Sequence, residues 1–249
     1  MERKGWLYSM GEEKWALITG ASGGIGQAIA KALAKEGYNL FLHYHQNEKA
    51  VRSLAEGLSV QSKFIRADLS SHQGYLELTS GLTNEVDVLI LNAGLSHVGL
   101  VTDISDDDAQ KMVQLHITSP FLITKQLIPS MIRKRLGKII VISSIWGSVG
   151  ASCEVLYSMV KGGQNTFVKA LAKELAPSGI NVNGIAPGPI ETNMMHDFTV
   201  EDKQAIIEEI PMGRFGQPEE VAYAVVFLIS EKASYINGDI ININGAWYT

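Results

Sequence analysis

Short, uninterrupted apolar runs alternate with longer amphipathic stretches along the chain. Residues 15–19 (WALIT), 40–44, 63–66, 86–91, 138–143, 180–185 and 239–243 read as strands. Helical spacing occupies 24–36, 47–57, 71–82, 106–134, 155–176, 201–209 and 218–230. Strands apolar on both sides, each followed by a helix, imply a parallel sheet covered on both faces. No linker, repeat or composition shift marks a second unit. The expectation is one doubly wound α/β domain over residues 13–249, preceded by a flexible extension at 1–12 in which Met10 could be an alternative start.

Composition narrows the function classes. The chain has 249 residues, 46% apolar and 19% charged, with a formal net charge of −5. That balance suits a globular domain and excludes a strongly basic nucleic-acid-binding protein. Cys153 is the sole cysteine, so neither an intrachain disulfide nor a cysteine-based zinc cluster can form. No apolar run approaches the roughly 18 residues of a membrane span. A cytoplasmic protein without metal, membrane or nucleic-acid partners is expected.

In such a sheet a ligand lies beyond the carboxyl ends of the strands. The first of these loops reads Thr19-Gly-Ala-Ser-Gly-Gly-Ile-Gly26. Gly20 permits a tight turn, and Gly24 and Gly26 let backbone N–H groups and a helix start approach a pyrophosphate. The later loops carry Asn92-Ala93-Gly94, Ser144, Tyr157 with Lys161, and Pro187-Gly188.

These five ordered motifs make the chain, from about residue 13 onward, resemble the short-chain dehydrogenase/reductases, and among them the 3-oxoacyl-[acyl-carrier-protein] reductases. The resemblance implies a Rossmann-type domain with a seven-stranded parallel sheet, a nicotinamide cofactor and a homotetramer. It assigns cofactor contacts to Gly20, Ser22, Gly24, Ile25 and Gly26, to Asp68 (adenine) and Leu69, and to Asn92, Ala93 and Gly94. Pro187, Gly188, Ile190 and Thr192 would face the nicotinamide end. Relatives that prefer NAD end the second strand with a carboxylate. This chain has His43-Tyr-His-Gln-Asn47 there, which favours NADP(H). Gly23 stands where many NADP-dependent relatives carry a basic residue, so NAD(H) stays open. His43, His45 and Asn47 are candidates for the 2′-phosphate, with a packing or surface role as the alternative for the histidines.

Tyr157 and Lys161, spaced i and i+4, share one helix face. Hydride arriving at a carbonyl carbon leaves charge on oxygen, which calls for a proton donor and hydrogen bonds. Tyr157 would supply the proton, Lys161 would lower its pKa and bind ribose, and a serine would hold the carbonyl oxygen. Ser144 lies 13 residues before Tyr157 with Ser143 as the register alternative, and the resemblance selects Ser144. His116 stands where the family usually has a relay asparagine. It is either a substitute relay group or a packing histidine.

Residues 193–212 match the family's substrate lid, with Met194, Met195, Phe198, Ile206, Ile207 and Met212 giving it an apolar side. Arg133, Lys134, Arg135 and Lys138 form a candidate patch for an acidic acyl carrier protein, or simply satisfy a helix C-terminus. Pro177-Ser178 lacks the basic residue common in carrier-protein reductases, and Glu154 replaces their usual glutamine. Three functions follow: an NADPH-dependent 3-oxoacyl reductase, a relative acting on another ketone or secondary alcohol, or an impaired NADP(H)-binding sensor.

Overall fold

The computed structural model describes residues 13–192 and 198–248. Seven parallel strands, β1 (Trp15–Ile18), β2 (Asn39–Tyr44), β3 (Ser62–Arg66), β4 (Val88–Leu91), β5 (Gly137–Ile142), β6 (Ile180–Pro187) and β7 (Ile240–Ile243), form one sheet in the order 3-2-1-4-5-6-7. The order reverses between β1 and β4, which opens a crevice beyond their carboxyl ends.

Alternate residues of each strand feed two cores. Ala16, Ile18, Leu40, Leu42 and Ile90 pack with α1 (Gly24–Lys35) and α9 (Pro218–Ile229). Trp15, Leu17, Phe41, Leu89, Ile139 and Val141 face the other way, toward α5 (Ser119–Lys134) and α7 (Val155–Leu175). Both faces being covered explains why the central strands β1 and β4 are apolar at every position, whereas edge strand β3 carries Ser62, Lys63 and Arg66.

The remaining helices are α2 (Glu48–Glu56), α3 (His72–Ser80), α4 (Asp106–Val113), the short α6 (Trp146–Val149) and α8 (Val200–Glu209). Side chains cap several of them. Asn47 accepts the Ala50 N–H, Ser71 that of Gly74 and Ser105 that of Asp108. At α8, Thr199 and Asp202 form a reciprocal box. The start of α1 differs: Gly23 offers no capping side chain, and its first turn carries no acidic residue.

One expected helix is interrupted. The 106–134 pattern resolves into α4 and α5 joined by a widened i→i+5 turn, Gln114–Thr118, centred on His116. Residues 1–12, expected as an extension, and Met194 and Met195 lie outside the described residues.

Candidate active site

The glycine loop is a cradle shaped by close backbone contacts. Gly20 has φ +67°, and a Cβ there would lie 2.9 Å from Ala93 Cα. A Cβ on Gly26 would reach 2.3 Å from the Gly20 carbonyl, and one on Gly24 2.8 Å from Thr192 Cγ2. Gly188 is similarly tight, its Cβ meeting Asn244 Cα at 3.0 Å.

Thr19 and Asn92 tie this loop to the end of β4. The Thr19 hydroxyl accepts the N–H groups of Asn92 and Ala93, both at 2.9 Å, and donates to the Ile90 carbonyl at 3.3 Å. Asn92 Nδ2 donates to the carbonyls of Thr19 (2.9 Å) and Gly20 (3.1 Å). The uncapped N–H groups of α1, the absence of acid in its first turn and this glycine cradle fit the pyrophosphate of a dinucleotide. Ser22 is half-exposed on the loop, its carbonyl accepting from Gln27 Nε2 at 2.9 Å. Ile25 packs its side chain against the core.

The end of β2 corrects one expectation. His43 is buried, and its Nδ1 accepts the Gly20 N–H at 3.0 Å. Its Nε2–H therefore donates to the Ala67 carbonyl at 3.1 Å. Burial pushes its pKa down to about 4. A neutral ring with both nitrogens engaged by backbone has no donor for a phosphate, so His43 takes the packing alternative. Asn47 is the exposed cap of α2. Beside it, Arg66 Nε donates to the His45 carbonyl at 3.3 Å, which holds a guanidinium at this edge.

Asp68 Oδ1 accepts from the Ser70 N–H and hydroxyl at 2.9 and 2.7 Å, a turn contact that leaves Oδ2 3.9 Å from His45 Nε2. Leu69 is buried, and its carbonyl accepts from Ser119 Oγ at 2.7 Å. Pro187 ends β6, the Gly188 N–H donates to the Ile243 carbonyl at 2.9 Å, and buried Ile190 bridges in parallel to Gly216.

At the end of β5 the two serines separate by role. Ser143 Oγ is buried and donates to Asn165 Oδ1 at 2.7 Å. Ser144 Oγ accepts the Trp146 N–H at 3.2 Å and stands near enough to the Tyr157 phenol to favour its ionised form. Burial pushes Tyr157 up to about 12, opposed by Ser144 and reinforced by the Glu154 charge.

Lys161 is buried, with Nζ 5.5 Å from the Tyr157 ring centroid. It donates to the Ile142 carbonyl at 2.9 Å and to Gln164 Oε1 at 3.1 Å. Burial lowers it to about 7. The expectation of a lowered phenol is thus not met: burial is the largest influence on Tyr157 and raises it.

His116 is fully buried, its ring edge-on to Tyr157 at 5.8 Å between centroids. Its Nε2 meets the Leu95 backbone (O at 3.0 Å, N at 3.3 Å), while Nδ1 is buried without a partner. Burial, followed by the Lys161 charge, lowers it to about 3 and keeps the ring neutral. The ring lies against Gly94, where a Cβ would come within 2.7 Å of His116 Cε1.

Around this centre stand three aromatic residues that the sequence did not single out. Trp146, Trp247 and Tyr248 form an aromatic cluster with centroid separations of 5.2 to 5.4 Å. Glu154 accepts from Ser96 Oγ at 3.2 Å, and burial raises its pKa against the opposing influence of Ser96 and Trp146. Trp247 also packs with Ile206, Ile207, Ile210 and Phe215, whereas Phe198 and Met212 are exposed. Gln164 and Asn165, the partners of Lys161 and Ser143, sit on the inner face of α7, where amphipathic spacing calls for apolar residues.

Every residue of the basic patch has a partner within the chain, although Arg133, Lys134 and Arg135 stay exposed. Arg133 Nη2 lies 2.7 Å from Glu85, and Lys134 Nζ lies 2.9 Å from buried Asp87. Arg135 donates to the Pro177 carbonyl at 3.1 Å, and buried Lys138 to Asn181 at 2.8 Å. Lys138 also lies near the amino end of β5, about 20 Å of strand from Ser144. These contacts accord with the alternative in which the cations serve the end of α5 and its neighbours.

Comparison with known proteins accords with this geometry. A family profile described as "Enoyl-(Acyl carrier protein) reductase" matches residues 20–247. The uncharacterized oxidoreductase YmfI of Bacillus subtilis is 55% identical over 239 residues, covering 94% of this chain and 99% of that protein. The 3-oxoacyl-[acyl-carrier-protein] reductase FabG of Aquifex aeolicus is 39% identical over 241 residues, covering 94% and 97%. A crystal structure of 3-oxoacyl-[acyl-carrier protein] reductase from Brucella melitensis superposes with a TM-score of 0.88 at 30% identity, covering 96% of this chain and 92% of that one. None of the described helices is long and apolar enough to cross a membrane.

Proposed function

The chain belongs to the short-chain dehydrogenase/reductase family of NAD(P)-dependent oxidoreductases, and on that premise we propose that it reduces the 3-oxo group of an acyl thioester, carried on an acyl carrier protein or coenzyme A, with NADPH. The observation that carries this reading is the convergence of Ser144, Tyr157 and Lys161 at the carboxyl end of β5. When bound, the nicotinamide supplies the hydride. Ser144 holds the substrate oxygen, and Tyr157 Oη delivers its proton to the alkoxide. Lys161 provides the cation beside the phenol and a donor for ribose.

The preference for NADPH rests on the lack of a carboxylate at residues 43–47 and on the guanidinium of Arg66 at the His45 backbone. Glu48, the nearest acid in sequence, is held by Arg52 at 2.6 Å. Exposed Phe121 on α5 and Met159 on α7 support a homotetramer paired through these helices, and a cytoplasmic location goes with this function.

A second reading, reduction of a hydroxylated or cationic ketone, is favoured by Glu154 and the Trp146–Trp247–Tyr248 cluster beside the site. The test is loss of NADPH absorbance with acetoacetyl-CoA and acetoacetyl-carrier protein, with NADH and Tyr157→Phe as controls. Turnover with NADPH that disappears in Tyr157→Phe is expected. Tight NADPH binding without turnover of either thioester would refute the leading reading. Activity on sugars or cyclic ketones would then establish the second, and inactivity on those too would leave an NADP(H) sensor.

A further inference from the structure

Resting on that reading, we propose that Gln164 is the positioning residue for Lys161, linking its ammonium directly to the backbone of His116 in a chain that lacks the family's relay asparagine. Gln164 is 3% exposed and spans two buried groups. Its Nε2 donates to the His116 carbonyl at 2.8 Å, and its Oε1 accepts from Lys161 Nζ at 3.1 Å. The two contacts fix the amide orientation between them, because a carbonyl can be met only by the NH2 end and an ammonium only by the oxygen.

The consequence for Lys161 is geometric. An ammonium has three N–H donors. The Ile142 carbonyl takes one at 2.9 Å and Gln164 takes the second. The third is left for the site. Lys161 is 4% exposed, so water does not compete for these positions. Without Gln164 one acceptor would remain, and the Nζ could rotate about it.

The other end of the link is equally particular. His116 lies in the widened turn Gln114–Thr118, where regular i→i+4 pairing is relaxed and a side chain can insert at a carbonyl. The His116 ring is turned away from this contact, onto the Leu95 backbone. Its main chain, not its imidazole, therefore meets the lysine network. The titratable groups facing Lys161 are Tyr157 on its own helix and His116 on the widened turn, with Glu154 acting on Tyr157 from the start of α7.

The test uses Gln164→Met, which keeps length and removes both hydrogen bonds, and Gln164→Glu, which keeps an acceptor and adds charge. Thermal unfolding checks that each folds. The Lys161 side chain is followed in the nucleotide-free protein by NMR of ε-13C-labelled lysine, with its signal assigned by loss in Lys161→Met.

Relative to the parent, the Lys161 titration midpoint should fall in Gln164→Met and rise in Gln164→Glu, by about a unit or more. NADPH affinity, read by fluorescence, should weaken severalfold in Gln164→Met. With a turned-over ketone, kcat should drop at least tenfold at little-changed ketone KM, and the pH–rate limb should move with the NMR midpoint. Partial recovery in Gln164→Glu at high pH would support positioning over packing.

A Lys161 midpoint unmoved in whichever variants fold, or a folded Gln164→Met with full kcat, would overturn the proposal. The NMR and NADPH measurements need no ketone. Failure of the thioester reading alone would leave what they show of Gln164 unchanged.

Discussion

Replacing Gly24 with alanine isolates one contact in the cofactor cradle. The new Cβ would lie 2.8 Å from Thr192 Cγ2 and 3.2 Å from Thr192 Cβ. Carbon atoms at rest sit about 3.5–4.0 Å apart, so the closer pair is about 1 Å too near. Overpacking of this kind costs about 1–3 kcal/mol. Against it stands a helix-propensity gain of at most about 1 kcal/mol, because Gly24 opens α1 with an ordinary backbone conformation.

The net expectation for Gly24→Ala is a loss of about 0–2 kcal/mol. For a chain of this size that is a fall of up to roughly 8 °C in melting temperature. Thr192→Ser removes the offending Cγ2 and leaves only the 3.2 Å approach, which a shift of a few tenths of an ångström relieves. In that background Gly24→Ala should be neutral or mildly stabilising, giving a coupling of about 1–2 kcal/mol between the two positions. Differential scanning calorimetry of the four proteins at equal concentration measures it. An equal effect of Gly24→Ala in both backgrounds would refute the claim that Thr192 sets the closeness of this loop.

Two further predictions concern charge. Glu154 adds to the pressure that raises the Tyr157 pKa. Glu154→Gln should therefore lower it and shift the corresponding limb of the pH–rate profile to lower pH; an upward shift or none would exclude this coupling. At the far end of the sheet, Lys134→Met strands the buried Asp87 carboxylate and should cost about 1–3 kcal/mol in urea denaturation. Arg133→Met, breaking an exposed pair, should cost less than about 1 kcal/mol. If the charge pairing of these residues is their whole role, neither change should alter KM for a carrier-bound thioester, whereas a selective rise in that KM would restore the docking surface.

The central strands were legible because a sheet buried on both faces demands apolar residues at successive positions, and runs such as WALI and VLIL supply them. The glycine loop and the Tyr157–Lys161 pair were legible because their spacing is local. What escaped depends on contacts distant in sequence. The cations of residues 133–138 looked free because Glu85, Asp87 and Asn181 are far from them along the chain. The break at Gln114–Thr118 has no composition of its own and accompanies the packing of His116 on Gly94. Gln164 was hidden for a different reason. A polar residue on an amphipathic helix is read as solvent-facing by default, although 157, 161, 164 and 165 fall on one inner face.

The imidazole of His43 also bears on coenzyme engineering. By receiving the Gly20 N–H and donating to the Ala67 carbonyl, it ties the glycine loop after β1 to the loop after β3, beside the main-chain bonds from Ala21 and Ala67 to β2. A redesign that trades one dinucleotide for the other by varying the end of β2 must leave this position as it is. The freedom to recode specificity is then confined to the exposed side chains of His45, Gln46 and Asn47 and to Arg66 on the adjacent strand. A combinatorial library that randomised residues 43–47 uniformly would spend most of its diversity on variants whose cofactor loop has lost this tie to β2 and the end of β3.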